Sequence, residues 1–210
     1  MEKKENWEIS FDIHLERYRN IDPAEASKRT AIEFEPELSR FKFSVLGYDL
    51  YAEFPEFKLV PVDAEICPKT LYGFQMQVLV MRVLTVGVYA PPSGSFKAYR
   101  ELPWGDLYDA NFSGRCIKRF AFGFGFKPDK FEKAAKQLGG IDRRTVPLSQ
   151  IAYDFPFLGG VVSRFILWMP DEEFPPSAQI LFSDNSAIMY NAEDLAVVGD
   201  VIISALKEMS

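Results

Sequence analysis

Two short stretches of the chain combine charged and aromatic residues in patterns that suit chemistry. The first is Tyr99-Arg100-Glu101-Leu102-Pro103-Trp104-Gly105. At the end of a strand, alternation would send the Arg100 guanidinium and the Glu101 carboxylate to opposite faces beside the Trp104 indole, with Pro103 and Gly105 turning the chain. One face would then offer an arginine to an anion. The second is Trp168-Met169-Pro170-Asp171-Glu172-Glu173-Phe174-Pro175-Pro176, with Asp184 beyond the next apolar run. Three acids in a row between prolines are oxygen donors of the kind a hard cation such as Mg²⁺ or Ca²⁺ takes. Their spacing is not that of an EF-hand, and the ordinary meaning of such a run is a solvated turn, so no metal is assigned to them.

Placed side by side, the two stretches would make one of two sites. A pocket for an anionic or aromatic small molecule would draw on Arg100, Trp104, Arg115, Trp168 and Asp184. An enzyme would set Glu101 against Asp171, Glu172 or Glu173 as general acid and base, with or without Mg²⁺. A plainer arrangement competes with both: Arg100 paired with one of the acids, locking two loops together. A protein-interaction module presenting exposed aromatics is a third class, in a chain that is 15% Phe, Trp and Tyr.

Other chemistries lack their residues. The chain has one histidine, His14, which excludes a histidine-rich metal site; no G-x-S-x-G frames a serine, and His14 falls off the apolar stripe of its helix, as a solvated side chain would. Cys67 and Cys116 are too far apart for a C-x-x-C pair and read as reduced, buried thiols. Gly123-Phe124-Gly125-Phe126-Lys127 lacks the third glycine of a dinucleotide loop and follows a helix, so it reads as that helix's end. A net charge of -6 repels phosphate backbones and argues against nucleic acid. The first residues have no apolar signal core, and the longest apolar run, Val78 to Ala90, is broken by Arg82 and short of the roughly 20 residues a bilayer requires. These features predict a cytoplasmic protein without membrane contact, its partner a small anion and its cofactors unspecified.

The elements that must position these residues follow from periodicity. With 210 residues, 48% of them hydrophobic, the chain can bury an ample core, and one domain is expected over 1–210: a helical segment 6–30 packed on an α+β body 40–208. Trp7, Phe11, Leu15 and Tyr18 are spaced as on a helix, and Asp22-Pro23 starts a second. Alternation around Leu46-Gly47 predicts a hairpin. Further helices are expected over 68–87, 106–122, 128–138 and 192–208, and strands over Phe96–Leu102, Val161–Trp168 and Ala178–Phe182. The fold class is α+β, with the hairpin and these strands in one mixed, largely antiparallel sheet covered by the helices.

Six strings carry a family resemblance: Tyr99-Arg100-Glu101-Leu102-Pro103, Phe112 with Arg115, Leu138-Gly139-Gly140, Asp171-Glu172-Glu173-Phe174-Pro175, Leu181-Phe182 and Glu193-Asp194-Leu195. With these the sequence resembles the bacterial and archaeal proteins grouped as the DUF3786 domain, over most of its length. The resemblance implies a cytoplasmic protein, typically of anaerobes, in a family without an assigned activity; the cysteine-rich iron–sulfur segment that some members add is not part of this sequence. Pro170 stands where the family more often has Gly, and Ser183 where it tends to have Asp, with Asp184 one position late.

Overall fold

The computed structural model describes residues 6–144 and 150–210, with side chains from Phe11 onward in those ranges. Helix α1 (Asn6–Arg19) leads into α2 (Pro23–Thr30). The start of α2 is the predicted one: the Asp22 carboxylate accepts the Ala24 and Glu25 amides at 2.9 and 3.1 Å, and Pro23 occupies a first turn that needs no amide donor.

Strands β1 (Glu33–Glu35), β2 (Arg40–Val45), β3 (Tyr48–Glu53) and β4 (Leu59–Pro61) form an antiparallel meander in chain order. The predicted hairpin is β2–β3. Its two turn residues both have positive φ, 50° at Leu46 and 80° at Gly47, as a tight hairpin turn requires. Leu46 is buried, so packing holds a leucine where propensity would place Asn or Gly.

The helix expected over 68–87 is divided. A 3₁₀ turn (Lys69–Tyr72) is separated from α3 (Phe74–Val86) by Gly73, whose backbone is extended. Next comes a helical rod made of α4 (Gly105–Phe112), a π-helical segment (Ser113–Lys118) and α5 (Arg119–Phe124), roughly 30 Å long at 1.5 Å per residue. Phe112, Cys116, Phe120 and Phe124 are all buried, as their spacing predicts, and the rod stops at Gly125. Helix α6 (Pro128–Gln137) follows.

A second sheet has the order β5-β9-β8-β7-β6, from β5 (Phe96–Ala98), β6 (Ile141–Asp142), β7 (Gln150–Pro156), β8 (Val162–Trp168) and β9 (Ser177–Ser183). Three expectations need correction. Every pairing described is antiparallel, so the sheets are not mixed; the hairpin belongs to its own sheet; and β7 fills a place no strand was predicted for. The strand expected over Phe96–Leu102 ends at Ala98 because local bonds close a 3₁₀ turn over Tyr99–Glu101: the Glu101 carboxylate reaches back to the Ala98 amide at 2.6 Å, and the Leu102 amide donates to the Tyr99 carbonyl at 3.1 Å.

The chain ends in a short helix α7 (Ser186–Met189) and the long α8 (Ala192–Glu208). Helix α8 is buried on nearly every side, packing on α3, on the rod and on α6. Gly199 marks its closest crossing with the rod, where an added Cβ would sit 3.3 Å from Cys116 Sγ and from the Phe112 ring. The buried side chains form one contiguous cluster that includes Phe41 and Leu50 of the first sheet and Phe120 and Phe165 on the side of the second. The fold is α+β, and among the described residues no helix is long and apolar enough to cross a membrane.

Candidate functional site

Leu102, Pro103, Trp104 and Gly105 make a type II turn closed by the Gly105 amide on the Leu102 carbonyl at 2.9 Å. Proline suits its second position. The third, which calls for φ > 0 and usually takes Gly or Asn, holds Trp104 at φ 66° and ψ 2°. Glycine is required one residue later, since a Cβ on Gly105 would lie 1.9 Å from the Tyr99 carbonyl oxygen. The backbone therefore carries strain at a tryptophan that packs little of itself away, being 72% exposed.

The displayed indole borders a cleft of about 310 Å³ between this turn and the junction of α7 and α8. Tyr99 ties the two walls together by donating its hydroxyl to the Ala192 carbonyl at 2.8 Å. Arg82 of α3 and Asp194 of α8 line the cleft, with Arg82 Nε 2.7 Å from Asp194 Oδ1. That N–H is not aimed along the contact, so the pair is held by charge more than by an aligned hydrogen bond. The two terminal nitrogens of Arg82 have no hydrogen-bond partner among the described residues. Asp194 also closes the capping box of α8, accepting the Asn191 amide at 3.3 Å while its own amide donates to Asn191 Oδ1 at 2.8 Å. Burial pushes the Asp194 carboxyl above its ordinary 3.8, against the opposing pull of Arg82 and the Asn191 amide.

Arg82 and Asp194 also line a second cleft, of about 250 Å³, together with His14, Phe74 and Glu193. The solvated histidine expected from the sequence is corrected here: His14 is half-buried, and burial, then the charges of Arg82 and Arg17, lower its pKa from 6.5. The imidazole is thus neutral near pH 7. Sequence reasoning treated Arg82 only as a break in an apolar run. A lone arginine inside a mostly buried helix was the available signal, because such a charge is retained where it has a partner.

The two stretches singled out by sequence are not brought together. Trp104 opens the helical rod, whereas the acidic loop packs at the rod's other end, where a Cβ on Gly125 would lie 2.2 Å from Pro176 Cβ. Arg100 is exposed and bonds to none of the acids, so the expected lock between the loops is also not formed. Glu101 is occupied in capping its own 3₁₀ turn. Asp171 folds on its own loop, accepting the Glu173 and Phe174 amides at 2.9 and 2.7 Å, and Glu172 and Glu173 are exposed. Trp168, half-buried, ends β8 opposite Gln150 and Ser177. Asp184 pins the loop before β5: it accepts the Ser93 amide at 3.0 Å and the Ser93 hydroxyl, which hold its carboxyl below 3.8. Arg115 donates to Asp200 Oδ2 through Nη2 at 2.8 Å and Nε at 3.2 Å, beside Arg119 on the same carboxylate, and so joins the rod to α8.

Both cysteines are free and buried, and burial raises their thiols, Cys67 to about 11 and Cys116 to about 12, which leaves them unreactive near neutral pH. Among the described residues no group of three or more His, Cys, Asp or Glu is placed to hold a metal ion. No curated protein and no solved structure matches the chain. A family model does, the Domain of unknown function (DUF3786), over residues 22–205. The strings at the Trp104 turn, at Glu193-Asp194-Leu195 and at Leu138-Gly139-Gly140 therefore stand in a chain that belongs to the DUF3786 family.

Proposed function

We propose that this protein is a small-molecule-binding module whose site is the cleft between the Trp104 turn and the start of α8. The ligand it suits is a flat apolar or aromatic body carrying one carboxylate. The indole offers a stacking face, the uncommitted nitrogens of Arg82 offer a fork for the carboxylate, and the volume fits a molecule of that size. The observation that carries the reading is Trp104 itself, held exposed in a left-handed backbone, where a residue kept for stability would be glycine.

The experiment titrates the protein with benzoate, nicotinate and indole-3-acetate, following tryptophan fluorescence and thermal unfolding. The expected result is a saturable shift for at least one of them, with a stabilisation of about 2.7 kcal/mol at a hundredfold excess over Kd. Trp104→Gly is expected to abolish the shift while leaving the unfolding free energy equal to the parent's or up to about 1 kcal/mol above it, since relief of strain offsets the looser unfolded chain. Ile188→Glu places a negative charge at the half-exposed rim and is expected to weaken binding about tenfold. No response from the parent protein, or the same response from Trp104→Gly, would overturn the reading.

One observation favours a protein-interaction role beside it. Phe122, Phe126 and Phe174 are each more than half exposed around the contact of Gly125 with Pro176, at the far end of the rod. The enzyme reading needs Glu101 and the acids of 171–173 to converge, and nothing in their placement supports it.

A further inference from the structure

A different groove, of about 240 Å³, opens at the face of the second sheet, where β6, β7, β8 and the loop before β5 meet. Among its lining residues is Asp154 of β7, only 3% exposed. Arg164, its cross-strand neighbour on β8, grips it with two hydrogen bonds, Nε to Oδ1 at 2.6 Å and Nη2 to Oδ2 at 2.9 Å. That pair alone satisfies a buried carboxylate. A second guanidinium is nevertheless present: Arg143, just past β6, donates Nε to Asp154 Oδ2 at 3.0 Å with half of its side chain exposed. Among the residues that line the groove, two positive charges meet one negative, a surplus of one. The surplus has free donors, because both terminal nitrogens of Arg143 and Nη1 of Arg164 have no hydrogen-bond partner among the described residues. The plane of the Arg164 guanidinium is also set in advance, its carbon standing 3.9 Å from the centre of the Phe96 ring. Around these donors the walls are apolar, from Pro92, Phe96, Ile141, Pro156 and Val162.

We propose that this groove is a second binding site, separate from the cleft at Trp104, for a small monoanionic carboxylate with an apolar tail. Arg143 and Arg164 supply the fork for the carboxylate, and the apolar walls receive the tail. A single negative charge matches the surplus, whereas a phosphate dianion would overfill it and be repelled by Asp154. The site is independent of the proposed function, since it shares no lining residue with that cleft.

The test is amide chemical-shift mapping of the 210-residue chain with butyrate, and with methyl phosphate, a dianion near pH 7, as the competing anion. At ligand concentrations on the order of 10 mM a site of millimolar affinity is about nine-tenths filled. The expected result is saturable shifts at Gly94, Phe96, Arg143 and Arg164 with butyrate and none there with methyl phosphate. Arg143→Ala leaves Asp154 its two bonds from Arg164, so the protein stays folded, and the shifts should weaken about tenfold, with Arg143→Lys in between. Because the readout is residue by residue, binding at Trp104 appears at other amides and cannot be mistaken for it. Absence of shifts at these four residues, equal shifts with methyl phosphate, or shifts unchanged in Arg143→Ala would overturn the proposal.

Discussion

Gly105 shows how one atom can govern the display of another residue. The turn carrying Trp104 returns so close to the 3₁₀ turn before it that a methyl group at position 105 would meet the Tyr99 carbonyl oxygen at 1.9 Å, a distance only backbone movement can relieve. Gly105→Ala is therefore expected to cost about 1–3 kcal/mol in urea unfolding and to quench the cleft's ligand response, because it moves Trp104 rather than removing it. Full parental stability would mean that the turn is looser than its contacts imply. At this scale the sequence was partly legible. Pro103 and Gly105 announced a turn beside an indole, and a turn forms, although a 3₁₀ turn and not a strand leads into it. Arg82 and Asp194 were not recognised as the lining of a site, since each has a bland local reading, as an interruption of an apolar helix and as the cap of another. Only the fold brings α3 and α8 together and turns two bland residues into a charge pair inside a cleft.

Between elements, the bond that matters most is Asp200 of α8 against the rod. Its carboxylate takes Arg115 and Arg119 from the rod and the Gln75 amide, at 3.0 Å, from α3, so one side chain joins three helices. Burial alone would raise its pKa, but the hydrogen bonds from Arg115 and Gln75 and the charges of both arginines outweigh it and hold the carboxyl below 3.8. A folded value below the unfolded one means that the unfolded chain takes up the proton first as pH falls. The contribution is thus complete above about pH 5 and is lost as pH falls through 3.8 toward the folded value. Asp200→Asn is expected to lower the unfolding free energy at pH 7 by about 2 kcal/mol, less than a fully buried pair would lose because both arginines reach solvent. It should also make the acid limb of the stability profile shallower. Some slope should remain from Glu208, whose carboxyl is pushed up by burial but held below 4.5 by the Thr70 and Lys69 amides. Urea titrations at pH 7, 4 and 3 measure both effects, and an unchanged acid limb would remove Asp200 from this role.

The same scale shows why some elements could be foreseen and β7 could not. Helices α2, α6 and α8 carry their own punctuation, Asp22-Pro23, Pro128 and Asn191, and each starts where that punctuation stands. Strand β7 has the opposite character. Ile151-Ala152-Tyr153-Asp154-Phe155 is buried throughout, with an aspartate in the middle and Pro156 at its end, so it shows neither alternation nor a clean apolar run. Its charge is tolerable only because Arg164 stands opposite on β8, a fact of register and not of local sequence. The division into two sheets was hidden for a similar reason: alternation shows that a strand has an inner face, but not which sheet it joins.

At the scale of the whole molecule, a four-stranded meander and a five-stranded sheet with its helices contribute side chains to one buried cluster. Apart from the shared core, one place where their backbones approach is where the β2–β3 turn meets the end of α6. Gly47, at φ 80°, and Gly139, at φ 64°, approach so closely that a Cβ on either would stand 3.3–3.4 Å from the backbone of the other. This gives the Gly139-Gly140 pair a second purpose beyond ending a helix, which is how it reads in sequence. Gly139→Ala is expected to cost about 1–3 kcal/mol, combining the left-handed backbone with the crowded approach. Gly94→Ala, at φ 95° with nothing within 4 Å, isolates the backbone cost alone and should be the milder change. The decisive measurement is the double-mutant cycle of Gly47→Ala with Gly139→Ala. If the two glycines close one gap, the first methyl forces it open and the second finds room, so the combined loss should fall short of the sum by about 0.5 kcal/mol or more. Strict additivity would mean that the turn and the helix end do not bear on each other.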